Sequence, residues 1–262
     1  MAASVPVFAS PSPAVRAVDT DRPWAWLAAG WKDLMTAPQV SLTYGAVFAA
    51  FGLALGLSLW IAGLVYLLLP MAAGFMLLGP ILATGLYATS RDIASGRATA
   101  MQGALAAWEE NRTQIALMGL ILALVFLLWI RIATLLFALF FGKSVVSLAN
   151  LVEQTVFSAS GPAFLITGTA IGAVLATGVF SIAVISVPML LDRQVSVFTA
   201  IATSVEVVRR NPRTMALWAA LIALFTGVGL VTFFVGVAVA LPLVAHATWH
   251  AYRDLVDSAG GT

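Results

Sequence analysis

The chain carries two histidines, His246 and His250. Four residues apart on a helix, both imidazoles face one side. That spacing can support a metal or haem site, because neutral imidazole is a common ligand. Two ligands leave such a site incomplete, and Asp254, four residues further on, could contribute at its edge. The competing reading is a packed polar pair beside Trp249 and Tyr252. Arg131 is the other candidate. It follows Trp129-Ile130 inside an apolar run, with no acid at similar depth. Burying a guanidinium in such a run costs a few kcal/mol. Arg131 is therefore expected to face a protein interior and to pair with Glu153, Tyr44 or carbonyls at a helix break. It would serve an anion or lipid-headgroup site or a partner contact, or else act as a hydrogen-bond hub.

Other chemistry is sparse. Without cysteine there are no disulfides, thiolate metal sites or iron–sulfur ligands. The sequence has no His-Glu metalloprotease motif and no Gly-rich phosphate loop on a nucleotide domain. No serine sits beside a histidine in a recognisable nucleophile setting. The chain is thus expected not to be an enzyme and to need no cofactor, with haem or copper at His246/His250 as the alternative. Nothing suggests nucleic acid as a partner.

The elements that position these residues follow from composition. Of 262 residues, 61% are hydrophobic and 9% charged, against about 25% charged in a soluble domain. Mean hydropathy is +1.02. Such a chain cannot solvate a globular surface, and a bilayer is its natural solvent. Apolar stretches cover roughly 39–91, 114–142, 161–191 and 214–252. At about 20 residues per span, the first and last suit two spans each. The expected fold is therefore an all-α polytopic membrane bundle of six transmembrane helices; one long final helix would make five. With the N-terminus in the cytoplasm, Arg16, Arg22, Lys32, Arg91, Arg97, Arg112, Arg193, Arg209, Arg210, Arg213 and Arg253 fall inside. Only Lys143 falls outside. That asymmetry predicts a bacterial inner-membrane protein with both termini cytoplasmic.

One unit recurs. Pro80-Ile-Leu-Ala-Thr-Gly-Leu-Tyr-Ala-Thr-Ser-Arg91-Asp92 aligns without a gap with Pro242-Leu-Val-Ala-His-Ala-Thr-Trp-His-Ala-Tyr-Arg253-Asp254. Thr36-Ala37-Pro38 matches Arg210-Asn211-Pro212. A weaker copy starts at 101–112, where Asn111 matches Asn211. Each unit reads as an amphipathic elbow helix followed by a transmembrane hairpin, over about 21–92, 98–192 and 195–255. Residues 1–20 read as a disordered cytoplasmic tail, 21–257 as one membrane domain and 258–262 as a C-terminal tail. In the first elbow Asp21 can cap the helix and Pro23 sits in its first turn. Trp24, Leu27, Trp31 and Leu34 form its apolar stripe, with Lys32 and Asp33 opposite. The third elbow repeats this with Val197, Ile201, Val205 and Val208. Lys32, Arg209, Arg210 and Arg213 are placed to meet anionic lipid headgroups. Small residues four apart at Gly52/Gly56 and Gly168/Gly172/Ala176 predict close helix packing. An amphipathic stripe, Val145, Leu148, Val152 and Val156, places 143–160 on the outer leaflet.

The strings Trp26-Leu-Ala-Ala-Gly-Trp-Lys-Asp-Leu, Leu78-Gly-Pro-Ile-Leu-Ala-Thr-Gly-Leu-Tyr, Gly161-Pro, Val187-Pro-Met-Leu-Leu-Asp-Arg and His246-Ala-Thr-Trp-His-Ala-Tyr-Arg-Asp-Leu carry a resemblance. From about Arg16 to Asp257 the chain resembles an uncharacterised family of six-helix proteobacterial inner-membrane proteins, a domain of unknown function. The resemblance implies a membrane location and six spans, with no established activity. Some members carry a cytochrome c oxidase subunit I label. Catalytic oxidase subunits need more spans and histidines than this chain has, so the label implies a respiratory association only. The leading expectation is a non-catalytic accessory or scaffold subunit, binding membrane lipids and other subunits, or forming a homo-oligomer. The alternative is a transporter or lipid-handling protein with its site near Arg131.

Overall fold

The computed structural model describes residues 13–64, 67–142, 153–232 and 234–257. Residues 1–12 of the expected tail, Lys143, Val145, Leu148 and Val152 of the expected outer segment, and 258–262 lie outside them.

Short helices alternate with long apolar ones, and local chemistry sets the joints. Helix α1 (Arg22–Thr36) stops before α2 (Pro38–Ile61), and α9 (Val197–Arg210) stops before α10 (Pro212–Val231). Proline lacks an N–H and clashes with a preceding helical turn, so each long helix starts on its proline and the short one must end. The joint residues adopt nearly one backbone conformation: φ −123°, ψ 56° at Ala37 and φ −122°, ψ 51° at Asn211. Between them, α5 (Met101–Ala106) and its 3-10 extension Ala107–Asn111 lead into α6 (Arg112–Phe141). Asn111 there has φ −143°, ψ 54°. Pro23 lies in the first turn of α1, but the Asp21 side chain caps nothing. In α9 the Ser196 hydroxyl does cap, accepting from the Thr199 N–H.

Two of the remaining apolar segments are broken near one end. Helix α3 (Leu68–Leu82) gives way at Ala83 to α4 (Thr84–Ala94), and α7 (Gly161–Ala183) gives way to α8 (Ser186–Asp192). Side-chain hydroxyls take up the freed backbone groups. Tyr44 donates to the Leu82 carbonyl and Thr84 to that of Ile81; Ser204 accepts from the Ile185 N–H. Helix α11 (Val237–Leu255) continues unbroken past Pro242. The last apolar stretch is thus two helices, α10 and α11, packed as a hairpin. At its turn Phe234 has φ +65°, a left-handed conformation rarely taken by a bulky residue. Gly52 accommodates the Phe234 ring, since a Cβ there would overlap it.

α1 packs on α11, α5 on α4, and α9 on α7 and α8, which closes a ring of contacts. α4, α8 and α11 also touch one another. They form a central post, buried without interruption over Thr84–Ser90, Ser186–Leu191 and Ala245–Trp249. The chain termini join at this end. Arg16 N–H donates to the Leu255 carbonyl and Asp257 N–H to that of Ala14, each at 2.9 Å. Asn211 also holds the strap, accepting from Val18 N–H at 2.9 Å and donating to the Arg16 carbonyl at 3.0 Å. Residues 14–18, part of the tail expected from the sequence to be disordered, carry these hydrogen bonds to Asn211, Leu255 and Asp257.

Away from the post, large apolar residues such as Ile61, Leu139, Val174 and Val231 are exposed, as lipid contact requires. Among the described residues five helical segments are long and apolar enough to cross a membrane: 38–61, 70–94, 101–141, 161–192 and 212–231.

Candidate functional site

Both histidines lie on α11 and enter one buried polar chain. His250 Nε2 donates to Asp33 Oδ2 at 2.8 Å, and Ser90 Oγ donates to the same oxygen at 2.7 Å. Ser90 also meets His246 Nδ1 at 2.7 Å, and His246 Nε2 meets Ser41 Oγ at 2.9 Å. An ionised carboxylate only accepts, so the single Ser90 proton goes to Asp33. Ser90 Oγ must then accept from His246 Nδ1–H, leaving Nε2 to accept the Ser41 proton. Burial alone would raise the Asp33 carboxyl. Hydrogen bonds from His250 and Ser90, with the fields of both imidazoles, outweigh it and hold Asp33 below its ordinary value.

The chain ties α1, α2, α4 and α11 together at the post. Ser41, Ser90 and His246 are fully buried, so the Ser41–His246 pair is closed to a substrate. Both ring nitrogens of His246 are taken by serines, and a metal would have to displace them. Among the described residues no three His, Cys, Asp or Glu side chains form a metal-holding group. The two histidines are thus linked to each other through Ser90 and Asp33. Sequence order conceals it, because Ser41 and Ser90 are separated from His246 by 205 and 156 positions. Asp33 was placed opposite the apolar stripe of α1; it is buried instead, on the face of Trp26, Gly30 and Leu34. The spacing 26, 30, 33 and 34 was the available signal. A Cβ on Gly30 would press on the Ala247 backbone, so glycine lets α1 lie directly on α11. Trp24 and Trp31 point outward, at the edge expected of interfacial indoles.

The opposite face of α11 borders a cavity of about 670 Å³, in the size range of small-molecule sites. Its walls are α3, α7, α10 and α11, and its floor at the elbow end includes Tyr87, Val208, Pro212 and Met215. Among the described residues no charged side chain lines it. The volume comes from small residues: Ala173, Ala176 and Thr177 on α7 face Ala216, Ala219, Ala223 and Thr226 on α10. Several of these, including Ala176 and Ala216, are exposed, so the cavity opens sideways between α7 and α10.

The small-residue motif in α7 is therefore read differently from the sequence. Among the described residues nothing lies within 4 Å of a Cβ on Gly168, and Ala176 lines the cavity, so neither meets a described helix. Gly172 faces the Trp129 ring and Gly56 lies at ordinary contact distance from Leu68. The closest helix approaches are elsewhere. Gly45 abuts the Ala238 backbone and Gly74 the Phe126 ring. Arg131 is exposed on the outer face of α6, with no hydrogen bond or ion pair among the described residues. It meets neither Glu153 nor Tyr44, and the expectation of an interior position is corrected. On that face Leu124, Leu127, Leu128 and Leu135 surround it, and a long guanidinium stem can reach the headgroup level from there. Lys32, Arg209, Arg210 and Arg213 are exposed. Arg210 pairs with Glu206. Other cations at this end pair as well: Arg16 with Asp257, Arg22 with Asp254, Arg91 with Glu110, and Arg253 with Asp192.

Residues 68–192, from α3 to the end of α8, match the model of a family described as "Predicted integral membrane protein (DUF2189)". The family is one of unknown function, and the chain is an integral membrane protein similar to it. The match covers just under half of the chain. It includes the Leu78–Tyr87 and Gly161-Pro162 strings, while the Trp26–Leu34 and His246–Leu255 strings lie beyond it. No match to this chain was found among curated proteins or among solved structures.

Proposed function

We propose that this chain is a non-catalytic, lipid-binding accessory protein of a bacterial inner membrane, with six spans and both termini cytoplasmic. The observation that carries the reading is the uncharged cavity of about 670 Å³, open sideways between α7 and α10. In a bilayer such an opening faces acyl chains, and a site with no charged residue selects them by apolar contact. Proton or ion transport finds little support, since Arg131 lies on the lipid side and the His246 chain ends at Ser41. The sixth span is α11, whose 19 residues pair with α10. Its polar residues are carried inside the post, which lowers its apparent hydropathy. Three elbow-plus-hairpin units are supported by the shared conformation of Ala37, Asn111 and Asn211.

Filling the cavity tests the function. Ala219→Phe places an aromatic ring in the opening. Protein purified in mild detergent and analysed by native mass spectrometry should retain lipid as wild type and lose most of it as the variant. Equal lipid retention by two equally folded proteins would count against the cavity as the site.

A further inference from the structure

Resting on the cavity as a lipid site, we propose that its ligand is an uncharged lipid of the diacylglycerol class, whose polar end accepts a hydrogen bond from Tyr87. Tyr87 lines the cavity and is 3% exposed. Its hydroxyl makes no hydrogen bond among the described residues, and it is not among their sealed unpaired atoms, so it keeps some accessible surface. A hydroxyl so nearly buried and without a protein partner is left to a molecule that reaches that surface. Its neighbours do not bond it. Tyr44 donates to Leu82, the cavity hydroxyls Thr177, Ser181 and Thr248 donate to carbonyls of their own helices four residues back, and none of the four oxygens accepts from Tyr87. Thr226 is the other unpaired hydroxyl, and it sits some 16 Å further along α10 than Met215 at the floor, at 1.5 Å per residue.

The ligand's charge follows from the lining. Val208, Pro212 and Met215 line the floor, while Arg209 and Arg213 beside them are exposed. A phosphate drawn down to Tyr87 would lose water and gain no cation, which a buried charge does not tolerate. A glycerol hydroxyl and ester carbonyls carry no charge and offer the acceptors that one phenol donor needs. The two chains would occupy the apolar walls and pass out between α7 and α10.

The full chain, delipidated in mild detergent, is titrated with dioleoylglycerol and, separately, with dioleoylphosphatidate, and binding is read by native mass spectrometry. Wild type should favour dioleoylglycerol. Tyr87→Phe keeps the ring and loses the donor, and should weaken dioleoylglycerol roughly three- to ten-fold while leaving phosphatidate unchanged. Equal wild-type affinity for the two lipids overturns the proposal, as does a Tyr87→Phe protein that binds dioleoylglycerol like wild type. If Tyr87→Phe fails to fold, the wild-type preference decides alone. Should both lipids bind alike and Ala219→Phe abolish both, the cavity stands and the ligand assignment falls. Should neither lipid bind wild type, both fall.

Discussion

Asp33→Ala is the sharpest test of the buried polar chain. Asp33 is 5% exposed and accepts from His250 and Ser90. Hydrogen bonds to a charged group contribute about 1.5–3 kcal/mol each, and the His250 bond counts at the low end because that side chain is partly exposed. Relief of carboxylate desolvation offsets part of the loss, leaving a net cost of about 2–3 kcal/mol. For a chain of this size that lowers Tm by about 4–12 °C, at 2–4 °C per kcal/mol. Thermal unfolding in mild detergent reads it. The pH dependence has a fixed sign. The folded carboxyl lies below its ordinary value of 3.8, so its stabilisation is complete above that pH. It is lost as pH falls through the lower folded value. The wild-type and Asp33→Ala curves should therefore be offset at pH 7 and converge in acid. A variant within about 1 °C of wild type, on the same size scaling, would refute the idea that the chain holds α1 to the post. So would an offset that persists unchanged in strong acid.

Two glycine variants should diverge. Gly45→Ala would drive a methyl into the Ala238 backbone and lower Tm, whereas Gly168→Ala meets open space and should gain up to about 1 kcal/mol of helix propensity, both read by thermal unfolding. Arg131→Leu, on an exposed face of α6, should leave Tm unchanged or raised; a large fall would restore an interior role. The chain has no cysteine, so single cysteines report topology directly. Ala62→Cys and Val235→Cys should label with an impermeant maleimide from outside the cell, and Ser95→Cys and Ser196→Cys only after lysis. External labelling of Ser196→Cys would break the six-span arrangement.

How much was legible depended on the range of the interaction. Elbow joints were visible because Pro38 and Pro212 act on the residue before them, and proline chemistry is local. Apolar runs were visible because lipid imposes the same demand on every residue of a span. The partners of His246 were not visible, since Ser41 and Ser90 reach it only through the packing of α2 and α4 against α11, over 205 and 156 positions of sequence. Arg131 was misplaced by a rule that treats a bilayer charge as necessarily interior. On a long helix such as α6 the side chain has another route, to the headgroups. The small residues of α7 were misjudged for a related reason. Spacing of four shows where a backbone could be approached, but not whether a helix arrives.

That last distinction explains why the cavity sits where it does. At the elbow end, Gly30 and Gly85 let neighbouring backbones come close, against Ala247 and Ala104 respectively. The post is filled there, and Asp33, Ser41, Ser90 and both histidines bond one another. Further along, α10 presents Ala216, Ala219, Ala223 and Thr226 at spacings of three and four, the pattern of a helix seam. Among the described residues no helix fills it; across it lie Ala173, Ala176 and Thr177 of α7, also small. Two seams of small residues facing each other leave a space that neither can fill. In water such a space would collapse around an apolar core. In a bilayer the nearest material is lipid, and on the proposed function a chain entering from the side would make the contacts that the missing side chains do not. Replacing any one of these alanines with a large apolar residue should therefore cost little stability and much lipid, a separation that ordinary core positions such as Leu34 or Leu190 would not show.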